Sequence, residues 1–217
     1  MMKKILLLCL VCARISYALD CAPEQLNTKL EYMHDQDQEP KFESMLAQSD
    51  QRYFPSPENE KKLKAIIQKV IAADKLNRQS LDEIVSECGW PEPKKLSYKA
   101  NYAVFLIVQH ADEAAYRQKY LPYFQKLYEA NEFPAEWYAM LVDRIRLMDQ
   151  GKPQLYGTHS DPTKNDISVY MQVEDPENLN NRREQMGLSR IKMFDDLYLP
   201  KKDKAALNVK ANKKKNP

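Results

Sequence analysis

Two residues at the end of the most apolar segment could carry acid–base chemistry. His110 and Asp112 closely follow an unbroken apolar run over residues 102–108. An imidazole has an ordinary pKa of about 6.5, so it can take and return a proton near neutral pH, and a neighbouring carboxylate can orient the ring. The sequence therefore predicts His110 as a catalytic acid or base and Asp112 as its partner. A core histidine satisfied by a backbone carbonyl fits the same pattern.

An arginine on the apolar side of a later segment predicts an anion-binding group. Residues 134–149 have an amphipathic helical pattern, and Arg144 lies on its apolar stripe, three residues after Leu141 and four before Met148. A buried guanidinium needs a partner, because an unpaired buried charge is strongly unfavourable. One interpretation is a structural ion pair with Asp112. The other is a bound anion, since a guanidinium can donate two parallel hydrogen bonds.

A change of hydrophobic period after Gly151 predicts a β-hairpin. Residues 154–158 and 167–173 alternate between polar and apolar side chains, and turn-forming residues separate them. Gly157 lies inside the first predicted strand, where glycine is unfavourable unless another group approaches the backbone closely. Either a ligand or a tightly packed helix explains it. The hairpin and the helix after it extend the predicted ligand-binding set to Gln109, Arg144, Gln154, Tyr156, Gly157, Thr158 and Arg182.

The rest of the chain predicts a helical bundle that positions these groups. Apolar residues recur at three- and four-residue steps over residues 58–73, the spacing of an amphipathic helix. The expected fold class is mainly α (α+β), a helical bundle with one β-hairpin, at about residues 153–174, packed on it. Helices are predicted over residues 24–33, 42–48, 58–73, 80–89, 102–108, 117–130, 134–149, 176–186 and 191–198, with a polar break at 35–40.

The 217 residues fit one domain with a leader and a basic tail. Residues 1–18 have the basic, apolar and small-residue order of a secretory signal peptide, and cleavage is expected after Ala18. The apolar run is too short to span a bilayer, so the sequence predicts a secreted or periplasmic protein. The single domain is expected over residues 19–200. Residues 201–217 carry seven lysines against one aspartate and are expected to be disordered.

Charge and cysteine usage limit the possible partners. The chain has a net charge of +2, but the leader and tail are basic, so the body is acidic, which argues against a broad nucleic-acid surface. The tail could instead attach to an anionic surface. Cys21 and Cys88 remain after the leader. They either form a disulfide, as expected in an oxidising compartment, or stay as free thiols.

Five short motifs, in this order and spacing, resemble a bacterial domain family of unknown function. They are Gly-Trp-Pro at 89–91, Gln-His-Ala-Asp at 109–112, Asp-Arg at 143–144, Gly-Lys-Pro-Gln-Leu-Tyr-Gly-Thr at 151–158, and Arg-Arg followed by Gly-Leu within 182–188. The resemblance covers residues 26–199 and implies a shared pocket, with no known reaction. The family's Asp-Gln-x-x-Arg element is similar to residues 37–41 here, with Lys41 in place of the arginine. The family's Thr-Gln step appears as Thr158 followed by His159.

Two functions fit these observations. The first is a cofactor-independent hydrolase or other acid–base enzyme with a polar pocket. The second is a non-catalytic module that binds a small polar or anionic ligand or another protein. The sequence contains no serine elbow, phosphate-binding loop or dinucleotide fingerprint, so no cofactor is predicted. A metal held by His110, Asp112 and His159 has no supporting spacing, and no metal site is predicted.

Overall fold

The computed structural model describes residues 19–159 and 172–194, and this part of the chain is mainly α-helical, as predicted. Residues 1–18, 160–171 and 195–217, which include the predicted leader and the predicted basic tail, lie outside the described residues. The α-helices are α1 (Pro23–Tyr53), α2 (Pro57–Cys88), α3 (Tyr98–His110), α4 (Ala114–Glu129), α5 (Ala135–Arg144) and α6 (Leu179–Gln185). Short 3-10 turns cover Pro93–Lys95 and Pro176–Asn178, and a π-helical turn, Ile145–Asp149, continues α5. Residues 192–194 are helical, and most of the helix predicted over 191–198 lies outside the described residues.

The first two helices are longer than predicted. The polar break expected at residues 35–40 does not occur, because Asp37 is buried and pairs with Lys41 one turn later, at 2.7 Å. The gap expected between 73 and 80 does not occur either. There, Asn77 is buried and its side-chain amide donates to the Met33 carbonyl oxygen at 3.0 Å. In both places a contact between or within helices outweighs the local preference of polar residues for turns.

The core lies around α3. Its apolar residues from Val104 to Val108 are almost completely buried, as predicted for a central helix. The ring of Phe105 packs on Trp137 of α5 at a centroid distance of 5.4 Å and on Phe124 of α4 at 6.4 Å. These aromatic contacts fix α4 and α5 against α3. The C-terminal ends of α3 and α5 therefore lie beside each other, as the hydrogen bond from Arg144 to Gln109 confirms.

The outer part of the α1–α2 pair extends beyond α3. Hydrogen bonds tie α3 to α1 from Asn27, near the start of α1, to Asp37, where α3 ends at His110. Residues 42–73, which we call the distal arm, follow this last contact and turn back at residues 54–56. In the helical parts of the arm, the buried residues are Ser44, Ala47 and Ile66.

A disulfide closes the opposite end of the α1–α2 pair. Cys21 and Cys88 are bonded, with Cα atoms 5.5 Å apart and 67 positions of sequence between them. Of the two alternatives for these cysteines, the structure has the disulfide. It joins the segment before α1 to the last residue of α2 and so fixes both helix ends.

The β-hairpin predicted at residues 153–174 is wrong. In the described residues there is no strand, and the one β-type contact is an isolated parallel bridge between Gln154 and Val173. Residues 154–159 form an irregular loop in which the N–H groups of Leu155, Tyr156 and Thr158 donate to a buried carboxylate, Asp143, so these three groups are not available to a neighbouring strand. The alternation of polar and apolar residues reflects a loop with one side packed inward.

None of the helices in the described ranges is both long enough and apolar enough to cross a membrane.

Candidate functional site

A buried aspartate organises the loop that forms one wall of the site. Asp143, in the last turn of α5, is fully buried and accepts hydrogen bonds from the backbone N–H groups of Leu155 (2.7 Å), Tyr156 (3.1 Å) and Thr158 (3.1 Å). The Thr158 hydroxyl donates to the same carboxylate at 2.9 Å. Four donors directed at one carboxylate hold the loop in a single shape, because charge-assisted hydrogen bonds are among the stronger ones.

Two arginines hold the outer side of the same loop. Arg182 donates from Nε to the Leu155 carbonyl oxygen at 3.0 Å, and Arg183 donates from Nη1 to the Tyr156 carbonyl oxygen at 2.6 Å. Arg182 also lies 3.7 Å from Asp175. Arg182 was predicted as a ligand-binding residue, but in the structure its guanidinium donates hydrogen bonds to backbone carbonyl oxygens.

Gly157 adopts a left-handed conformation, with φ of +61°. An added Cβ would meet Leu179, Ile191 and Val173 at 3.5–3.6 Å, which is ordinary van der Waals contact. These contacts leave room for a Cβ, so close packing does not by itself require glycine. The positive φ does favour glycine, since side chains rarely adopt it.

Gln109 and His159 meet beside this loop. Gln109 is only 3% exposed, and its Nε2 lies 3.1 Å from Nε2 of His159. Gln154 fixes the histidine backbone, donating to its carbonyl oxygen at 3.0 Å and accepting from its N–H at 2.8 Å. If the Gln109 amide donates, the His159 proton is on Nδ1, which lies 3.0 Å from the Thr158 hydroxyl. Burial lowers the pKa of His159, and the charge of Arg144 lowers it further against the opposing charge of Asp143, which favours the neutral ring.

The Gln109 side-chain oxygen has no partner among the described residues. Oε1 is buried and accepts no hydrogen bond from them, whereas Nε2 approaches both His159 and the Met140 carbonyl oxygen. An unsatisfied buried acceptor is uncommon and costs about 1–3 kcal/mol.

Arg144 is half-buried and has no carboxylate partner among the described residues. Its Nε donates to the Gln109 carbonyl oxygen at 3.2 Å. Arg117 forms a two-pronged ion pair with Asp149, the nearby carboxylate, and also donates to the Ala111 carbonyl oxygen. Burial lowers the pKa of Arg144, and repulsion by Arg117 lowers it further, while Asp149 opposes the change. We call Gln109, Arg144, Thr158 and His159 the Arg144 site.

The predicted contacts of Asp112 with Arg144 and with His110 are not formed. Asp112 pairs with Arg78 of α2 at 2.6 Å, and 69% of its side chain is exposed. Its position after the end of α3 directs it toward α2, away from both residues.

His110 has a different carboxylate partner, Asp37 of α1. Its Nδ1 lies 3.1 and 3.2 Å from the two Asp37 oxygens, and 21% of the histidine side chain is exposed. Burial alone would raise the pKa of Asp37, but His110 and Lys41 outweigh it and hold that pKa well below its usual value. Lys41 also bridges to Asp74, whose pKa is raised by burial and by the charge of Asp37. We call Asp37, Lys41, Asp74 and His110 the His110 network.

The predicted site residues thus divide into groups. Gln109, Arg144 and Thr158 lie close together, and the Gln154 side chain hydrogen-bonds to the backbone of the neighbouring His159. His110 belongs to a different cluster, the His110 network, whose other members lie on α1 and α2. Tyr156 is half-buried, and burial raises its pKa. A cavity of about 180 Å³ lies elsewhere, between Tyr98 and Trp137, and none of the predicted site residues lines it.

No group of three or more side chains suited to holding a metal ion occurs within residues 19–159 and 172–194.

The comparison with protein families agrees with the resemblance that the motifs indicated. A family described as a family of unknown function, DUF6624, matches residues 25–210. The chain belongs to this family. No curated protein and no solved structure matches the chain.

Five residues that form or support the two clusters of this DUF6624 protein were not predicted as site residues. They are Asp37, Lys41 and Asp74 of the His110 network, His159 of the Arg144 site, and Asp143, which holds the loop beside that site. Asp37 lies in the motif at residues 37–41, and Asp143 directly precedes Arg144, so each belongs to a motif of the family resemblance. The signal for His159 is weaker, because it consists only of its place after Thr158.

Proposed function

We propose that this DUF6624 protein binds a small anion at the Arg144 site. The observation that carries the proposal is the half-buried Arg144 guanidinium, which makes one hydrogen bond, from Nε, and has no carboxylate partner in the described part of the chain. Two guanidiniums lie close to a single carboxylate, Asp149, which Arg117 already holds in a two-pronged pair. A bound anion would supply the missing negative charge and occupy the two Nη nitrogens.

The chemistry around Arg144 narrows the ligand class. The unsatisfied Gln109 Oε1 requires a donor, which an anion such as acetate does not have. His159 is already engaged at both ring nitrogens. We therefore infer a small monoanion with a hydroxyl or amide N–H beside its charged group. A 2-hydroxycarboxylate is the simplest member of this class.

Titration calorimetry with three related compounds tests the proposal. Glycolate has both the charge and the hydroxyl, acetate lacks the hydroxyl, and glycolamide lacks the charge. We expect the affinity to decrease in the order glycolate, acetate, glycolamide. Arg144→Gln should weaken glycolate binding about 10- to 100-fold, the range for a lost charge-assisted pair. Arg52→Gln, which removes an exposed arginine on the distal arm, is the matched control and should bind as the wild type does.

The outcome that contradicts this proposal is also specific. Equal glycolate binding by the wild type and Arg144→Gln, or no heat with any of the three compounds, would show that Arg144 is not a binding residue.

The Gln109→Met variant keeps the side-chain volume and removes the unsatisfied acceptor. It should abolish the preference for glycolate over acetate and leave acetate binding intact.

Acid–base catalysis at His110 is a second candidate function. Its support is the contact of Nδ1 with the buried Asp37, which orients the ring and leaves Nε2 without a partner among the described residues. This is the arrangement in which a carboxylate positions a general base, with Asp37 in the role that the sequence suggested for Asp112. The reaction class would be hydrolysis or proton transfer without a cofactor.

Hydrolysis of a panel of carboxylate-bearing esters and amides, followed by NMR, tests this candidate. His110→Gln should abolish turnover, retain glycolate binding and unfold at nearly the wild-type temperature. Loss of turnover together with a fall in stability of about 2–5 kcal/mol would instead mark His110 as a packed structural residue.

We further propose that the protein is exported. The Cys21–Cys88 disulfide supports this, because such bonds persist mainly in oxidising compartments. The test is intact-mass analysis of protein recovered outside the cytoplasm. A chain that begins at Leu19 is expected, and a chain that retains Met1 would contradict export by cleavage after Ala18.

A further inference from the structure

The distal arm has an apolar stripe on its outer face. Phe42, Met45, Leu46 and Tyr53 lie on one side of α1, at the spacing that brings helix residues into line. The buried arm residues of α1, Ser44 and Ala47, lie on the opposite side, which faces α2. The four outer side chains are 59%, 56%, 49% and 69% exposed.

Nothing among the described residues covers this face. The contacts of α3 with α1 end at Asp37, and the arm continues past them. Inside the arm, the seam between the helices consists of small residues with Ile66, so it provides little core of its own. A pair of helices normally packs on a further layer to bury its remaining apolar surface.

We propose that this outer face binds the same face of a second copy of this chain. The two α1 helices would then pack against each other, with the outer stripes as the new core and each α2 on the far side. A twofold arrangement is self-complementary, so one apolar stripe suffices for both halves of the interface. Antiparallel arms bring the Phe42 end of one stripe against the Tyr53 end of the other. Leu46 and Ser49 then lie near the twofold axis.

The exposed area is sufficient for a dimer. A large side chain offers roughly 150–250 Å² when fully exposed. The outer face has four of them, Phe42, Met45, Leu46 and Tyr53, and Phe54 directly follows the last one. Their exposed fractions of 49–72% correspond to roughly 600 Å² per copy, at the lower end of the range for a specific interface.

The charge of the arm favours a second copy over an anionic membrane. Residues 42–73 contain five basic and four acidic side chains, so two arms do not repel each other. Ion pairs such as Lys62 with Asp50, at 3.3 Å, already neutralise part of this charge within one copy. Binding to anionic lipid headgroups usually relies on a cluster of lysines and arginines without acidic neighbours.

Sedimentation velocity on the full chain with its native disulfide tests the proposal. We expect a dimer at about 10–100 μM, which covers weak and moderate affinities. Leu46→Glu introduces a charge near the proposed axis and should give a monomer. Leu76→Glu is the matched control, because Leu76 is an exposed leucine on α2 outside the arm, and this variant should remain dimeric. Both variants should keep the wild-type helical circular dichroism and glycolate affinity.

A cysteine cross-link gives an independent measurement. Ser49→Cys places a thiol on the exposed stripe and should form an intermolecular disulfide on mild oxidation, whereas Gln79→Cys, at an exposed position outside the arm, should not. A wild-type monomer throughout the concentration range would overturn the proposal, as would a Leu46→Glu dimer. A wild-type monomer that sediments with anionic vesicles would assign the stripe to a membrane instead.

Discussion

Replacing Asp143 by asparagine should destabilise the loop that carries His159. Each carboxylate oxygen of Asp143 accepts from the protein. Oδ1 accepts from the Leu155 and Tyr156 N–H groups, and Oδ2 accepts from the Thr158 N–H and hydroxyl. An asparagine has the same shape but only one acceptor oxygen, and its NH₂ group is a donor. Whichever way the amide is turned, at least one buried N–H then faces another donor.

The magnitude follows from these contacts. An unsatisfied buried donor costs about 1–3 kcal/mol, and hydrogen bonds to a charged acceptor contribute about 1.5–3 kcal/mol each. One oxygen survives in asparagine, so about half of the interactions are retained. We expect the free energy of unfolding to fall by about 3–5 kcal/mol, a large part of the 5–15 kcal/mol typical of a domain.

Guanidinium-induced unfolding, followed by circular dichroism, measures this loss. Asp112→Asn is the matched control, because its side chain is 69% exposed and its ion pair with Arg78 should contribute less than about 1 kcal/mol. Hydrogen exchange at the Leu155, Tyr156 and Thr158 amides reports on the loop directly and should become faster in Asp143→Asn. Unchanged protection of these three amides, with a stability within about 0.5 kcal/mol of the wild type, would refute the role assigned to Asp143.

Four further predictions concern the His110 network, Gly157 and the disulfide. The pKa of Asp37 is lowered in the folded state, so its stabilisation is present above the ordinary aspartate pKa of about 3.9 and is lost as the pH falls below it. Asp37→Asn should therefore be less stable at pH 7 and lose less stability on acidification, as urea titrations at several pH values will measure. The pKa of Asp74 is raised, so its contribution has the opposite sign and is lost as the pH rises, and Asp74→Asn should be at least as stable as the wild type at pH 7. Gly157→Ala should cost about 1–2 kcal/mol in urea unfolding, from its positive φ alone, and a much larger loss would mean that the added methyl group does not fit. Replacing Cys21 and Cys88 by serine should remove about 4 kcal/mol of stability by the chain-entropy estimate, and an unchanged thermal midpoint would contradict it.

The helical content and the central helix could be predicted because they depend on local patterns. The unbroken apolar run at residues 102–108 is buried within α3, and the amphipathic spacing at 58–73 lies within α2. The predicted helix breaks were wrong for one reason. Asp37 and Asn77 have turn-forming side chains, but His110 of α3 pairs with Asp37 and the Met33 carbonyl oxygen of α1 pairs with Asn77, and a local window contains no information about these partners.

The site residues could be predicted by type more readily than by partner. Arg144 was expected on the inward side of its helix, and it is half-buried. Asp112 was paired with His110 because it is close in sequence, whereas the actual partner, Asp37, is 73 positions away. The prediction of a hairpin was wrong for a similar reason, because the group that shapes this segment lies outside it. Alternation over five residues also fits a loop that wraps around a buried carboxylate, and Asp143 lies outside the alternating segment.

The end of α3 explains why the ligand should be a monoanion. Successive side chains on a helix point about 100° apart, so Gln109 and His110 reach different clusters. At the same helix end, Arg144 donates to the Gln109 carbonyl and Arg117 to the Ala111 carbonyl, so the negative end of the helix dipole partly compensates both cations. Asp149 compensates one full charge. At most one positive charge therefore remains for a ligand. A dianion such as sulfate would bring an excess negative charge into a half-buried site and should bind more weakly than glycolate, in contrast to a site formed by several unpaired arginines.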